Sequence, residues 1–251
     1  MLSPRKLVSA ALLGLSCAAA SAVAEPPRLS PVAPGIEYAS FERRSDDAEP
    51  FQIHAFKIDL EVAELRLVGA GGSAVRRTVE QIAAPYPAVV AVNASFFDTE
   101  GRAIGLGVSA GQLLAAGRRQ SWGALVVEGK KARIVLGSDI QDYRAYRLIV
   151  QGIPRLVVGG QVQRLKPQVA VRTAVCAAGS SIVIAVATKV ETTDFARFLA
   201  DPPDKSGLGC SDALNLDGGP STQLVVRLPS MNLALPGWGV PNALVALPGR
   251  M

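Results

Sequence analysis

The stretch Ala213-Leu-Asn-Leu-Asp-Gly-Gly-Pro-Ser-Thr-Gln-Leu-Val-Val226 contains an apolar strand, an acidic residue where that strand ends, a glycine turn and a second apolar strand. A carboxylate between two hydrophobic runs marks either a chain reversal or a functional site. The two glycines permit positive φ and let the backbone approach a ligand closely. Two interpretations follow: a β-hairpin closed by the Asp-Gly pair, or a site where Asp217, Ser221 and Thr222 converge.

Other polar residues also accompany strongly apolar runs. Asn93 follows the run 88–92, and Arg172 lies inside the run 169–176. Strand ends are where ligand sites gather in open sheets. A buried arginine is costly without an anionic partner. That partner is either Asp217, in an internal ion pair, or the carboxylate or phosphate of a ligand, which suits the guanidinium fork.

The rest of the chain indicates a single α/β or α+β-like domain, with a mixed β-sheet core and a few short covering helices. The expected hairpin pairs 169–176 with 181–188, and a glycine-rich segment spans 105–117. Helices are expected at 79–84, from the capping box Thr78-Val-Glu-Gln81, at 139–150, and from about 192 with Thr193 as its cap. Strands are expected at 36–42, 51–60, 64–69, 88–92, 123–127, 132–136 and 213–216.

The N-terminus predicts export. A basic start is followed by an apolar run from Leu7 to Ala20 and by the small-residue signal Ala22-Val-Ala24, so residues 1–24 are expected to be a signal peptide. Lipid attachment at Cys17 is the weaker alternative. We expect an extended lead-in over 25–49, with 25–35 unstructured, and a domain over 50–251. The mature protein is expected in the periplasm or secreted, without stable membrane insertion.

Composition excludes several function classes. Removing residues 1–24 leaves 227 residues with a net charge of +3, and no basic stripe interleaves with aromatic residues, so nucleic-acid binding is not expected. His54 is the only histidine. A three-histidine zinc site is therefore impossible, and a Ser-His-Asp triad would have to use His54, which the alternating run 51–60 places on the polar face of a strand.

Two cysteines remain after export, Cys176 and Cys210. An even count in an oxidising compartment favours a disulfide, and two buried free thiols are the alternative. A disulfide between them would close a loop of about 35 residues, and on the chain-entropy model it would contribute about 4 kcal/mol to stability. A bridge at Cys210 would hold the Asp217 turn in place.

Six short motifs occur in an order that resembles the phosphodiester glycosidase family. The resemblance covers roughly residues 50–247 and implies an exported hydrolase acting on a glycan or small molecule that carries a phosphodiester, in some members linked to exopolysaccharide. Pro220, Ile153 and Ile104 depart from the family's usual residues, which bears on substrate identity. The motifs are Asn93-Ala-x-Phe-Phe97, Gly105-Leu-x-Val-x-x-Gly111, Gln151-Gly-x-Pro-x-Leu-Val157, Arg172-Thr173, Asp194-Phe-Ala-x-Phe198 and the Asp217 stretch.

In a sugar-1-phosphodiester the leaving group is a phosphate monoester, whose second pKa of about 6 makes it a good anion. Such a reaction needs charge stabilisation more than an acid–base pair. Arg172 and Asp217 are the predicted catalytic residues. Arg172 holds the phosphate together with the backbone N–H groups that follow Gly218-Gly219 and the hydroxyls of Ser221 and Thr222. Asp217 steers the attacking water or stabilises the oxocarbenium charge. The predicted substrate-binding residues are Asn93, which orients the sugar, with Phe97, Thr173, Gly218, Gly219, Ser221 and Thr222.

No cofactor is expected. One alternative is a non-catalytic periplasmic module that binds phosphorylated glycans. The other is a metal-dependent phosphodiesterase, in which Asp217, Asp98 and Asn93 hold a divalent cation.

Overall fold

Strands form most of this protein. The computed structural model describes residues 28–43, 50–69 and 74–249, so the expected signal peptide lies outside the described residues. The strands are β1 (Ser30–Ala33), β2 (Ile36–Arg43), β3 (Phe51–Asp59), β4 (Glu64–Gly69), β5 (Val90–Asn93), β6 (Gly105–Ser109), β7 (Gln112–Gly117), β8 (Gly123–Glu128), β9 (Lys131–Leu136), β10 (Leu148–Gly152), β11 (Arg155–Val158), β12 (Gln161–Val162), β13 (Val169–Ala178), β14 (Ser181–Glu191), β15 (Ala213–Asn215), β16 (Leu224–Leu228), β17 (Met231–Leu235) and β18 (Asn242–Leu247). The helices are α1 (Val79–Ala83) and α2 (Thr192–Ala200).

Three sheets enclose one apolar core. An eight-stranded sheet has the order β1-β2-β3-β14-β13-β15-β11-β12, and two five-stranded sheets have the orders β7-β6-β10-β8-β9 and β17-β16-β5-β18-β4. Side chains from all three meet in a single cluster, for example Phe56 of β3, Leu125 of β8 and Val92 of β5, all fully buried. The expected fold class, a single domain of β-sheet with few short helices, is confirmed. Every strand pair in the described ranges is antiparallel, so these sheets show no parallel pairing of the kind a mixed sheet contains.

The two helices cover the outer faces of two sheets. Helix α1 packs on the sheet that contains β5 and β18 and has the predicted capping box, in which Thr78 and Gln81 bond each other's backbone. Helix α2 buries Phe195 and Leu199 against the eight-stranded sheet. Its cap is Glu191, whose carboxylate accepts the N–H groups of Thr193 and Asp194. The prediction of Thr193 as the cap is therefore wrong, because the end of β14 brings a carboxylate to the helix start.

Two predictions differ from the structure. Strand β2 agrees with the strand expected at 36–42, but β1 lies within 25–35, which is expected to be unstructured. Because β2 pairs with β3 along its whole length, the described part of the expected lead-in 25–49 belongs to the eight-stranded sheet. The predicted helix 139–150 consists instead of short 3₁₀ turns and β10, whose apolar residues pair with β6 and β8. The glycine-rich segment 105–117, for which the sequence predicted no structure, forms β6 and β7. In the segment 139–150, the pairing of β10 with β6 and β8 overrides local preference.

The predicted disulfide is confirmed. Cys176 in β13 and Cys210, which follows α2, are bonded with a Cα–Cα distance of 5.9 Å. Cys210 lies three residues before β15, so the bridge fixes the approach to that strand. None of the helices in the described ranges is both long and apolar enough to span a bilayer.

Replacing both cysteines with alanine should lower the free energy of unfolding by about 4 kcal/mol. The reason is that the bridge, which links residues 34 positions apart, no longer restricts the unfolded chain. Urea unfolding of the oxidised wild type and of C176A/C210A measures this difference. Reduced wild-type protein should match the variant. Equal stability of oxidised and reduced protein would contradict the role assigned to the bridge.

Candidate active site

The Asp217 turn connects two sheets. The strand before it, β15, pairs with β11 and β13 in the eight-stranded sheet, whereas β16 after it pairs with β5 and β17. The hairpin interpretation is therefore wrong. The backbone of Asp217 is held on both sides: its N–H donates to Ala94 O at 3.1 Å, and its carbonyl accepts from Asn93 Nδ2 at 2.6 Å.

Glycine is needed at both positions of the turn, but for different physical reasons. Gly219 has φ of +59°, a left-handed conformation that L side chains rarely adopt. Gly218 has an ordinary φ, but a Cβ placed on it would come within 3.3 Å of Val171 O. Beyond them, the N–H groups of Ser221 and Thr222 donate to the carbonyls of Gly218 and Gly219. Those two N–H groups close the turn and are unsuited to the predicted role of holding a phosphate.

Asp217 occupies a half-buried position in which its carboxyl group is partly desolvated. Burial raises the pKa of Asp217, while hydrogen bonds from Ser221 and from the Gly218 N–H act in the opposite direction. The Gly218 N–H lies 2.9 Å from Asp217 Oδ1. This carboxyl group therefore binds a proton more readily than an ordinary aspartate does.

Arg172 is a buried cation without a carboxylate partner. Its side chain is only 6% exposed, and Nη2 donates to Gln168 O and Thr192 Oγ1, each at 2.5 Å. Nε is buried without a hydrogen-bond partner, and within the described ranges no carboxylate reaches Arg172 at ion-pair distance. Burial lowers the pKa of Arg172, and the longer-range attraction of Glu191 opposes this.

Arg172 and Asp217 line the same pocket, which has a volume of about 520 Å³ and opens to solvent. Two distant parts of the sequence thus meet at one cavity, as the sequence predicted. An internal Arg172–Asp217 ion pair is absent from the described residues. The remaining lining residues are Phe96, Ile153, Pro154, Arg164, Leu165, Lys166, Gln168, Ala170, Thr192, Asn215, Gly218, Gly219 and Pro220.

Asn93 and Thr173 have a different position from the one predicted. Both are fully buried and neither lines the pocket. Asn93 Oδ1 accepts hydrogen bonds from Thr173 Oγ1 at 2.7 Å and from Gln223 N at 3.1 Å, while Nδ2 bonds Asp217 O. The side chain of Asn93 is therefore committed to positioning the Asp217 turn, which leaves it unsuited to orienting a sugar.

Ser221 and Thr222 are also buried and do not contribute to the pocket wall. Ser221 acts through its hydrogen bond to Asp217. Thr222 Oγ1 is a buried atom without a partner, and a Cβ on Gly218 would lie 4.0 Å from it. The hydrogen bond from Ser221 thus lowers the pKa of Asp217. The Thr222 hydroxyl lies beside the turn without a hydrogen-bond partner.

Phe96, rather than the predicted Phe97, lines the pocket. Phe96 packs edge-on against Trp122, with ring centroids 5.4 Å apart. Phe97 packs against the α1 cluster and lies under the Arg76 guanidinium at 5.4 Å. Adjacent residues of an extended chain point in opposite directions, so only one of the pair can face the cavity.

Several pocket residues were missed by the sequence analysis. Asn215 lies two positions before Asp217 and therefore projects to the same side, while Leu214 and Leu216 enter the core. Asn215 Nδ2 donates to the carbonyls of Ile153 and Leu216, and Asn215 Oδ1 is buried without a hydrogen-bond partner. The alternation of apolar and polar residues in 214–217 was the signal that could have identified it.

Two of the three departures from the family's usual residues lie at the pocket. Ile153, which is 40% exposed, and Pro220 both line it, whereas Ile104 does not. These residues form part of the wall around the Arg172–Asp217 pair.

Neither a Ser-His-Asp triad around His54 nor the alternative cation site is assembled in the described residues. His54 is buried in β3, where it bonds the Tyr38 hydroxyl at 2.9 Å, and burial lowers the pKa of His54.

The residues of the alternative cation site lie apart. Asp98 pairs with Arg102 at 3.0 Å, outside the pocket, and the side chain of Asn93 is used in hydrogen bonds to the Asp217 turn and to Thr173. Within the described part of the chain, no three His, Cys, Asp or Glu side chains group as a metal site. The proposed set Asp217, Asp98 and Asn93 therefore does not form a cation site.

Comparisons with known proteins agree with this reading of the fold. The sequence model of the phosphodiester glycosidase family matches residues 86–247, more than half of the chain. No match was found among curated proteins.

Solved structures share the fold at low identity. The catalytic domain of zebrafish N-acetylglucosamine-1-phosphodiester α-N-acetylglucosaminidase, auto-inhibited by its pro-peptide, is 18% identical with a TM-score of 0.71, over 88% of this chain and 87% of that one. A hypothetical protein from Synechocystis is 17% identical with a TM-score of 0.58, over 84% and 62%. A putative exported protein from Burkholderia pseudomallei is 15% identical with a TM-score of 0.53, over 79% and 74%.

Replacing Asn93 with alanine should lower the free energy of unfolding by about 3 kcal/mol, because it leaves buried polar partners unpaired. Urea unfolding measures the loss. The matched control, Asn232→Ala, changes an exposed asparagine in β17 and should stay within about 0.5 kcal/mol of wild type. A cost equal to that of the control would show that Asn93 does not hold the turn.

Replacing Asp217 with asparagine should stabilise the protein at neutral pH. The raised pKa of Asp217 means that burial of the ionised carboxylate costs stability above the folded-state pKa. This cost disappears as pH falls below the unfolded value of about 3.9, where both states are protonated. Urea unfolding of the wild type and of D217N at neutral pH and at pH about 3 should therefore show an advantage for D217N that shrinks in acid. A D217N protein less stable than wild type at neutral pH would contradict this account.

Proposed function

This chain belongs to the phosphodiester glycosidase family, and on that premise we propose that it is a hydrolase that cleaves the glycosidic bond of a sugar-1-phosphodiester. One observation supports this most strongly. Arg172 is a buried guanidinium without a carboxylate partner. It lines a pocket in which the only carboxylate among the described residues of the wall is Asp217. A bound phosphodiester would supply the missing anion.

The leaving group explains why one cation matters here. Breaking the bond between the anomeric carbon and oxygen leaves the electron pair on a phosphate monoester, which is a stable anion near neutral pH. Arg172 would hold that phosphate and stabilise the negative charge that develops on it. Nη2 is already fixed by Gln168 and Thr192, so the guanidinium is preorganised and needs little rearrangement during the reaction.

Asp217 would act on the sugar side. As a carboxylate it can orient the attacking water or stabilise positive charge at the anomeric carbon. Its backbone is fixed from both sides by Ala94 and Asn93, so its position relative to the pocket is set by the fold. As the water oxygen bonds to the anomeric carbon, the ionised Asp217 carboxylate accepts the water's proton and then passes it to solvent.

Other pocket groups fit a sugar. Asn215 Oδ1 is a buried acceptor without a partner, which suits a sugar hydroxyl. The Phe96 ring supplies an apolar surface in the same pocket. The name of the zebrafish relative makes N-acetylglucosamine the first sugar to test. The predicted signal peptide supports placing the enzyme in the periplasm or outside the cell, where an envelope glycan or exopolysaccharide is the substrate that we propose.

A screen of glycosyl-1-phosphodiesters, beginning with N-acetylglucosamine 1-(methyl phosphate), should detect release of the phosphate monoester. R172Q and D217N should each lower kcat/KM by about 10²–10³-fold, since each removes a preorganised electrostatic contact. Both variants should keep the circular dichroism spectrum of the wild type. R197Q and D204N make the same chemical changes at exposed positions away from the pocket and should retain full activity. Near-normal turnover by R172Q or D217N would refute the assignment.

The same reaction in ¹⁸O water identifies the bond that breaks. Label in the released sugar indicates C–O cleavage, as proposed. Label in the phosphate would indicate attack at phosphorus and a phosphodiesterase. Tight retention of an intact phosphodiester after long incubation would instead identify a binding module.

A further inference from the structure

Residues 163–168, between β12 and β13, form one wall of the pocket and carry two cations, Arg164 and Lys166. Both residues are exposed. Neither forms an ion pair within the ranges that the structure describes. The unpaired cations at the pocket are therefore available to a ligand.

The backbone of this wall is held at both ends. The Gln163 N–H donates to Leu156 O at 3.0 Å, and the Gln168 N–H donates to Glu191 Oε1 at 3.3 Å. Between these points, Leu165 packs into the cluster that also contains α2. Arg164 and Lys166, which lie on either side of Leu165 in the sequence, both line the pocket.

The charge of the pocket exceeds what one phosphodiester needs. Its wall contains three cations, Arg164, Lys166 and Arg172, and a single carboxylate, Asp217. A phosphodiester carries one negative charge, and Arg172 is the cation that burial keeps from solvent, so the scissile phosphate belongs on Arg172. Three cations minus Asp217 and this phosphodiester leave an excess of one positive charge, carried by Arg164 and Lys166.

We propose that Arg164 and Lys166 form a second anion-binding subsite, which takes an aglycone bearing a further phosphate or carboxylate beyond the scissile phosphodiester. This inference rests on the proposed function. The subsite belongs on the leaving-group side, because cations beside the sugar would oppose positive charge at the anomeric carbon. The structure supports that side: Gln168, at the end of the same wall, bonds Arg172 directly. The aglycone of the substrate therefore carries a second anionic group, a phosphate or a carboxylate, beyond the scissile phosphodiester.

The test uses the purified protein without its signal peptide and three probes of equal chain length: butyl phosphate, 4-(phosphonooxy)butanoate and butane-1,4-diyl bisphosphate. Calorimetric titration at low salt should show the bisphosphate or the phosphate–carboxylate binding roughly fivefold more tightly than butyl phosphate. Whichever probe with a second anionic group gains affinity identifies the chemistry of that group. The double variant R164Q/K166Q should lose this gain while binding butyl phosphate as the wild type does. The gain should also fall as salt is raised.

The control K131Q/K205Q removes the same charge at exposed lysines outside the pocket and should keep the gain. A gain that is absent in the wild type, or that survives in R164Q/K166Q, would overturn the second subsite even if butyl phosphate binds. Failure of butyl phosphate to bind, or its unchanged binding to R172Q, would count against the proposed phosphate site instead. The two ideas therefore fail in different measurements.

Discussion

The hydrogen bonds of Asn93 are the constraint on which the site depends. Asn93 ends β5 in one sheet, and its side chain reaches Thr173 of β13 in another sheet, the Asp217 carbonyl and the start of β16 through the Gln223 N–H. All of this takes place in a fully buried environment, where an unpaired amide is costly. One side chain thus fixes the place where two sheets meet and leaves the Asp217 carboxyl group directed to the pocket.

The site itself is the part of the fold that is least satisfied. Three of the four buried side-chain atoms without partners in the described ranges are Arg172 Nε, Asn215 Oδ1 and Thr222 Oγ1. They accompany an aspartate whose pKa burial raises. Each of these features lowers stability, and they are tolerated because the apolar core between the sheets and the Cys176–Cys210 bridge stabilise the rest of the molecule. Such a concentration of unmet polar groups is typical of sites that bind a ligand.

The pocket also divides into two kinds of wall. Arg172, Asn215 and Asp217 lie on or directly after strands of the eight-stranded sheet, and their positions follow from strand pairing. Ile153, Pro220 and residues 163–168 are in connecting segments. Residues on loops can differ between relatives without disturbing the sheets. This arrangement fits a reaction fixed by the strands and a substrate preference set by the loops.

Local patterns sufficed for the capping box at Thr78, the hairpin of β13 and β14, and the pairing of an even number of cysteines, because each depends on residues close in sequence or on counting. The sequence also identified Arg172 and Asp217 as partners of one site, since a charge inside an apolar run requires compensation. It predicted Phe97 and Asn93 as substrate-binding residues, whereas Phe96 and Asn215 line the pocket, because these choices depend on which side of a strand faces the cavity. The sequence could not place Glu191 at the start of α2 or reveal that the Asp217 turn connects two sheets. Those features arise from strand pairs far apart in sequence, and only the assembled tertiary structure determines which polar atoms are buried against partners and which remain free for a ligand.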